Sequence, residues 1–146
     1  MKTPKRLFDF IDLMAEYRSL DHAVNSKVKG KWVGLSTKEI KEQGDRCSAG
    51  LLNLDVAAGD KIAMISSTNR TEWVMADFGM SQIGAINIPI YPTISSEDYA
   101  YILNHAEATY CFVSDKEVLE KVRAIESQCP KLKGVYSFDK IKGCDH

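Results

Sequence analysis

Apolar and polar positions follow two periods along this chain. The short apolar runs Lys61–Ile65, Ala85–Ile90 and Thr109–Val113 have the length of buried strands. Between them, Arg70–Ile83 and Glu97–His105 repeat their apolar residues at helical spacing. A further stripe, Val118, Val122 and Ile125, precedes Cys129-Pro130, where a helix must end, and Leu132–Phe138 reads as a fourth strand. Strands alternating with helices across short joints predict a parallel sheet with right-handed crossovers and helices on both faces. The expected fold class is α/β, a layered subdomain of the Rossmann-like or flavodoxin-like kind over residues 59–138. Such sheets hold ligands beyond the carboxyl ends of their strands.

Residues 1–58 lead into that core. Leu7, Phe10, Ile11, Met14 and Tyr17 share one helical face, predicting a helix from Leu7 to about Asn25. Val24–Val33 reads as a small hairpin turning at Lys29-Gly30-Lys31. Ser36 with Glu39 forms a capping-box pattern ahead of the stripe Ile40, Cys47, Leu51 and Leu54. Gly44 on the same stripe would admit a neighbouring element closely. The start signal recurs as Asn69 before Glu72, Ser95 before Asp98 and Ser114 before Glu117. These local signals agree with the global alternation. Ile141–His146 reads as an arbitrary stop rather than a finished edge.

Composition narrows the function classes. Of 146 residues, 45% are apolar and 27% charged, and the net charge is −1. That is a globular balance, without the basic excess of a nucleic-acid binder. Lys27, Lys29 and Lys31 recur at period two, predicting one solvated strand face. No apolar core of signal-peptide length follows the basic start. The longest charge-free stretch, Phe78–Ser96, is broken by Gly79, Gly84, Pro89 and Pro92, so no transmembrane segment is expected. A soluble cytoplasmic protein is the expectation. Cys47, Cys111, Cys129 and Cys144 have no Cys-x-x-Cys or His-x-x-x-His spacing, so reduced thiols and no metal site are expected.

Candidate chemistry is sparse. Ser66-Ser67-Thr68-Asn69 follows the first core strand and opens a helix, where free N–H groups could hold an anion. The run lacks glycine and matches neither phosphate-loop fingerprint, and helix capping by Asn69 explains it equally. Tyr91-Pro92-Thr93-Ile94-Ser95-Ser96 occupies the equivalent joint after the next strand, as a ligand wall or a stiff connection. His22 and His105 have no serine, cysteine and acid arranged around them for nucleophilic catalysis. Cys144-Asp145-His146, at the chain end, is expected to be flexible. No catalytic or metal-binding residue is assigned.

The wording of several segments carries more. Lys31-Trp32-Val33-Gly34-Leu35-Ser36-Thr37-Lys38-Glu39-Ile40, then Gly59-Asp60-Lys61-Ile62, Gly84-Ala85 with Pro89, and Ile90-Tyr91-Pro92-Thr93 stand in order at family-like spacing. Together they resemble the N-terminal part of AMP-forming acyl-CoA synthetases, the adenylate-forming superfamily, and its long-chain fatty-acid branch in particular. Thr37 stands where that family usually has tyrosine. The resemblance implies that 1–146 is the N-terminal portion of an AMP-binding domain. It also implies a parent enzyme that activates a fatty acid with Mg·ATP, releases pyrophosphate and passes the acyl group to coenzyme A, located in the cytoplasm or peripherally at the membrane. The family's Ser/Thr-Gly-rich loop ending in Pro-Lys-Gly, its Tyr-Gly-x-Thr-Glu segment and its catalytic lysine are not in Met1–His146. The expectation is thus an inactive piece of scaffold without ATP, Mg or coenzyme A of its own, prone to self-association through uncovered apolar surface. Two alternatives stand beside it. One is a self-contained flavodoxin-like anion-binding module, and the other a dimerisation domain using the Leu7–Tyr17 helix.

Overall fold

The computed structural model describes residues 3–146. Two compact units make up the fold. One is the chain up to Ala58 together with Asn69–Gly84, and the other is Gly59–Thr68 together with Ala85–His146.

The first unit contains α1 (Asp9–Tyr17), the antiparallel strands β1 (Val24–Val28) and β2 (Lys31–Leu35), α2 (Thr37–Asn53) and α3 (Thr71–Gln82). Helix α1 is shorter than its apolar stripe predicted. The Asp9 carboxylate accepts from the amides of Lys5 and Arg6, both at 2.9 Å, which fixes a turn ahead of the helix. Arg18 then leaves helical geometry at φ −153°. Beyond it, Thr37 ties the chain down. Its fully buried hydroxyl accepts from the Leu20 amide at 3.0 Å, and its own amide donates to the Leu20 carbonyl at 2.9 Å.

The hairpin turns on Lys29 and Gly30, with φ of +48° and +81°, the left-handed pair that a two-residue turn needs to match strand twist. The reversal places Lys27 opposite Trp32 and Val28 opposite Lys31. Cross-strand partners share a face, so Lys27 and Lys31 lie on opposite faces. The single lysine face expected from period two does not form, because the chain folds back within the run.

Helix α2 starts at the predicted capping box, with Ser36 Oγ accepting from the Glu39 amide at 3.2 Å and the Glu39 carboxylate accepting from the Ser36 amide at 2.8 Å. Helices α2 and α3 cross where both lack side chains. A Cβ on Gly79 would lie 2.7 Å from Cys47 Cβ and 3.0 Å from the Gly44 carbonyl oxygen. The neighbour that Gly44 admits is therefore α3. Lys41 bridges Asp12 at 3.1 Å and Asp45 at 2.8 Å, and Gln82 Nε2 donates to Asp45 at 2.8 Å, lacing the three helices together. These partly exposed pairs contribute about 0.5 kcal/mol each. The α3 start corrects the sequence reading. Its N-cap is Arg70, without a side-chain cap, and Ser26 Oγ of β1 accepts from the Thr71 amide at 3.1 Å. A strand residue 45 positions away does the work expected of Asn69.

The second unit is a four-stranded sheet in the order β4-β3-β5-β6, all parallel: β3 is Lys61–Ile65, β4 Ile86–Ile90, β5 Tyr110–Val113 and β6 Gly134–Ser137. Pro89 lies on β4, an edge strand, where its missing N–H costs least. Ala63, Ile65, Ile90, Cys111 and Val113 point to one face. They pack there with Tyr99, Ala100 and Leu103 of α4 (Ser96–His105) and Val118, Leu119 and Val122 of α5 (Lys116–Arg123). Ile62 and Met64, which point the other way, are also fully buried. On that face Phe112 stands 5.7 Å from Tyr136 and 6.2 Å from Phe138, ring centre to ring centre. Ser95 caps α4 as predicted, with Asp98 completing the box. Helix α5 is capped by Asp115, one residue later than expected.

Residues 141–145, which include Cys144 and Asp145 of the end expected to be flexible, make contacts with the sheet unit. The Ser137 amide donates to the Asp145 carbonyl at 2.9 Å, Asp145 bridges Tyr136 in parallel, and the Arg123 guanidinium donates to the Gly143 carbonyl at 2.5 Å. Ile141 and Cys144 pack against the apolar core. The expected α/β class, a parallel sheet flanked by helices and preceded by a helix and a hairpin, is the observed one.

Candidate functional site

The strand order creates a switch point. The connection from β3 leads to β4 on one side, and that from β5 leads to β6 on the other. Open parallel sheets take ligands in the crevice at such a point, outside the carboxyl ends of the two strands. Ser66 and Ser67 follow β3, while Ser114 and Asp115 follow β5. The sequence offers the first pair as an anion site and Ser114 only as a helix start, because periodicity does not say which strands are neighbours.

These residues are bound to one another. Ser67 Oγ donates to Asp115 Oδ2 at 2.5 Å, and Ser114 Oγ donates to the same oxygen at 2.6 Å. The Ser67 amide donates to Ser114 Oγ at 3.0 Å. Asp115 Oδ1 accepts from the Val118 amide at 3.1 Å, capping α5. Ser66 Oγ donates to the Thr68 carbonyl at 2.6 Å. The result is a clasp between two adjacent strand ends, centred on a carboxylate. Burial pushes the Asp115 carboxyl up, but hydrogen bonds from Ser114, Ser67 and the helix amides outweigh it and hold the pKa below the ordinary value. A carboxylate so stabilised is a weak base toward a serine hydroxyl. No histidine takes part, so the cluster is not a nucleophilic triad.

The four sequence candidates are divided between the units. Ser66, Ser67 and Thr68 belong with the sheet, and Asn69 belongs with the helical unit. There Asn69 lines an open concavity of about 370 Å³ with Asn25, Arg70, Thr71 and Val74. Arg70 is paired with Glu72 at 2.7 Å. Burial raises the Glu72 pKa, but the Arg70 hydrogen bond and charge prevail and lower it overall. The joint after β4 is tied to α4 and α5. Tyr91 is exposed, and the Pro92 carbonyl accepts from Tyr99 Oη at 3.0 Å and Lys121 Nζ at 3.4 Å.

His105 stacks on Tyr101, with ring centres 5.7 Å apart. Burial pushes the Cys47 thiol up to about 11 and the Cys111 thiol higher still. Among the described residues no group of three His, Cys, Asp or Glu is placed to hold a metal ion. The clasp does not fit a triphosphate. Its hydroxyls already donate to a carboxylate, whose charge opposes an incoming phosphate. No helix among the described residues is long and apolar enough to cross a membrane.

The clasp gives a pH signature. Asp115 binds its proton less tightly folded than unfolded, so its contribution is complete above the ordinary Asp range and fades as pH falls through the lowered value. The thermal midpoint should therefore hold down to about pH 5 and fall below about pH 4. Asp115→Asn should lower the midpoint at neutral pH and flatten the acid decline. An acid decline unchanged in that variant would contradict the clasp.

A four-stranded parallel sheet with a switch point, preceded in the chain by a helix and a hairpin, defines an open α/β scaffold of the doubly wound kind. Residues 15–144 match the family described as AMP-binding enzyme, and the chain belongs to that family. It is 32% identical over 108 residues to the long-chain-fatty-acid–CoA ligase FadD15 of Mycobacterium bovis, covering 74% of this chain and 18% of that protein. It is 31% identical over 104 residues to the long-chain-fatty-acid–CoA ligase heimdall of Drosophila melanogaster, covering 71% of this chain and 15% of that one. The fold matches the anthranilate CoA ligase AuaEII, solved in complex with anthranoyl-AMP, with a TM-score of 0.83 at 21% identity, over 99% of this chain and 27% of that one. The chain thus spans less than a fifth of the length of these two ligases.

Proposed function

We propose that this chain is the opening scaffold of the N-terminal domain of an AMP-forming long-chain fatty-acid–CoA ligase. The observation that carries this reading is the match over residues 15–144, joined by two relatives both named long-chain-fatty-acid–CoA ligase. The whole enzyme would bind ATP, Mg, a fatty acid and coenzyme A in the cytoplasm. It would form an acyl-adenylate, release pyrophosphate and then pass the acyl group to the thiol. Stabilising charge at the reacting phosphorus requires cationic donors aimed at it. The switch point here offers a carboxylate instead, so residues 1–146 contribute framework and no catalytic group. Leu7, Phe10 and Leu52 are exposed apolar side chains through which the isolated chain would self-associate.

Fatty-acid-dependent ATP–pyrophosphate exchange tests the assignment of roles. The 146-residue chain should give background exchange only. Turnover above background, lost in Asn69→Ala, would place a working nucleotide site in this chain and overturn the framework reading.

A further inference from the structure

The tip of the β1–β2 hairpin combines exposed lysines with exposed large apolar side chains. From Val24 to Leu35 the sequence contains three lysines and no acidic residue. Lys27, Lys29 and Lys31 are all exposed, as is every residue from Lys27 to Val33. None of the three lysines has an ion pair among the described residues. Large apolar groups are exposed among them: Trp32 at 72%, Val28 at 50% and Val33 at 48%. A solvated hairpin has no need of them, since each leaves apolar area in water.

The register decides what kind of surface they fit. Lys27 and Trp32 share one face of the ribbon, while Val28, Lys31 and Val33 share the other. A flat protein or nucleic-acid surface would cover one face and leave the other wet. A bilayer interface entered end-on surrounds both. At that depth Trp prefers the headgroup level, valine reaches the acyl boundary, and lysine stems lie along apolar surface with their ammonium groups at the lipid phosphates. Lysines near an anionic membrane surface are each attracted to it. The turn at Lys29 and Gly30 keeps the tip only two residues wide, so it enters without splaying its strands.

We propose that residues 27–33 form a membrane-docking tip, specific for bilayers that carry anionic headgroups. The inference is argued from this hairpin and assigns to residues 27–33 the peripheral membrane contact that the family resemblance implies only for the whole enzyme; vesicle binding is read without ligase activity, so the two readings fail separately.

The test is co-sedimentation of the full 146-residue chain with phosphatidylcholine vesicles, with and without phosphatidylserine, at low and high salt. A Trp73→Phe background makes Trp32 the sole fluorophore of its kind. Binding should require phosphatidylserine, weaken with salt and shift the Trp32 emission to the blue. Replacing Lys27, Lys29 and Lys31 together by glutamine should weaken binding on the order of 100-fold, and Trp32→Ala about 10-fold, with circular dichroism unchanged. Lack of binding would overturn the proposal. So would binding that persists on neutral vesicles, that survives in both variants, or that is weaker than binding to a single-stranded oligonucleotide under the same salt.

Discussion

Replacing Tyr99 with alanine is expected to remove about 3–5 kcal/mol of folding stability, a large share of the 5–15 kcal/mol typical of a domain. The ring is fully buried in the cluster that joins β3, β4 and β5 to α4 and α5. Truncation would leave a void that the strands cannot close without losing register. The hydroxyl adds less. It donates to the Pro92 carbonyl at 3.0 Å, but Lys121 Nζ donates to the same oxygen at 3.4 Å. Tyr99→Phe therefore leaves that carbonyl with a partner and should cost about 1 kcal/mol. Urea denaturation followed by circular dichroism separates the two. Equal losses for both variants would mean that the hydroxyl, and not the packed ring, holds α4 to the sheet.

Gly79→Leu should be nearly as damaging, with a loss of about 3 kcal/mol. Leucine is a good helix former, so propensity alone would favour the change by close to 1 kcal/mol. The crossing of α2 and α3 opposes it, because even a Cβ at this position would sit 2.7 Å from Cys47 Cβ and 3.0 Å from the Gly44 carbonyl. Backbone would have to move. Gly50 supplies the control on α2, since a Cβ there meets nothing within 4 Å. Gly50→Ala should stabilise by up to about 1 kcal/mol, whereas Gly79→Ala should destabilise despite the same gain in propensity. Stabilisation by both alanines would contradict the close crossing.

What the sequence made legible was whatever its residues decide locally. Ser36 with Glu39 and Ser95 with Asp98 are three positions apart, so both halves of each cap are visible in one window, and both form. Strand and helix periods likewise placed β3 to β6 and α2 to α5 within a residue or three of their ends. Long-range choices were hidden. Ser26 serves α3 from another element, so Asn69 looked like a cap when it is not one. Ser114, three before Glu117, matches the start signal, and only the strand order shows why Asp115 does the capping while Ser114 turns to Ser67. The lysine run looked one-faced because period two says nothing of a turn inside it. The candidate site suffered most. Its location beyond the sheet was predictable from the class of fold, yet its character as a carboxylate clasp depends on β3 and β5 being neighbours.

The framework role proposed for residues 1–146 is decided by a chimera in which residues 15–144 replace the matching segment of the Mycobacterium bovis ligase. The expected result is a chimera that unfolds cooperatively and retains fatty-acid-dependent ATP–pyrophosphate exchange. A chimera that unfolds just as cooperatively but exchanges no more than the isolated chain would contradict it.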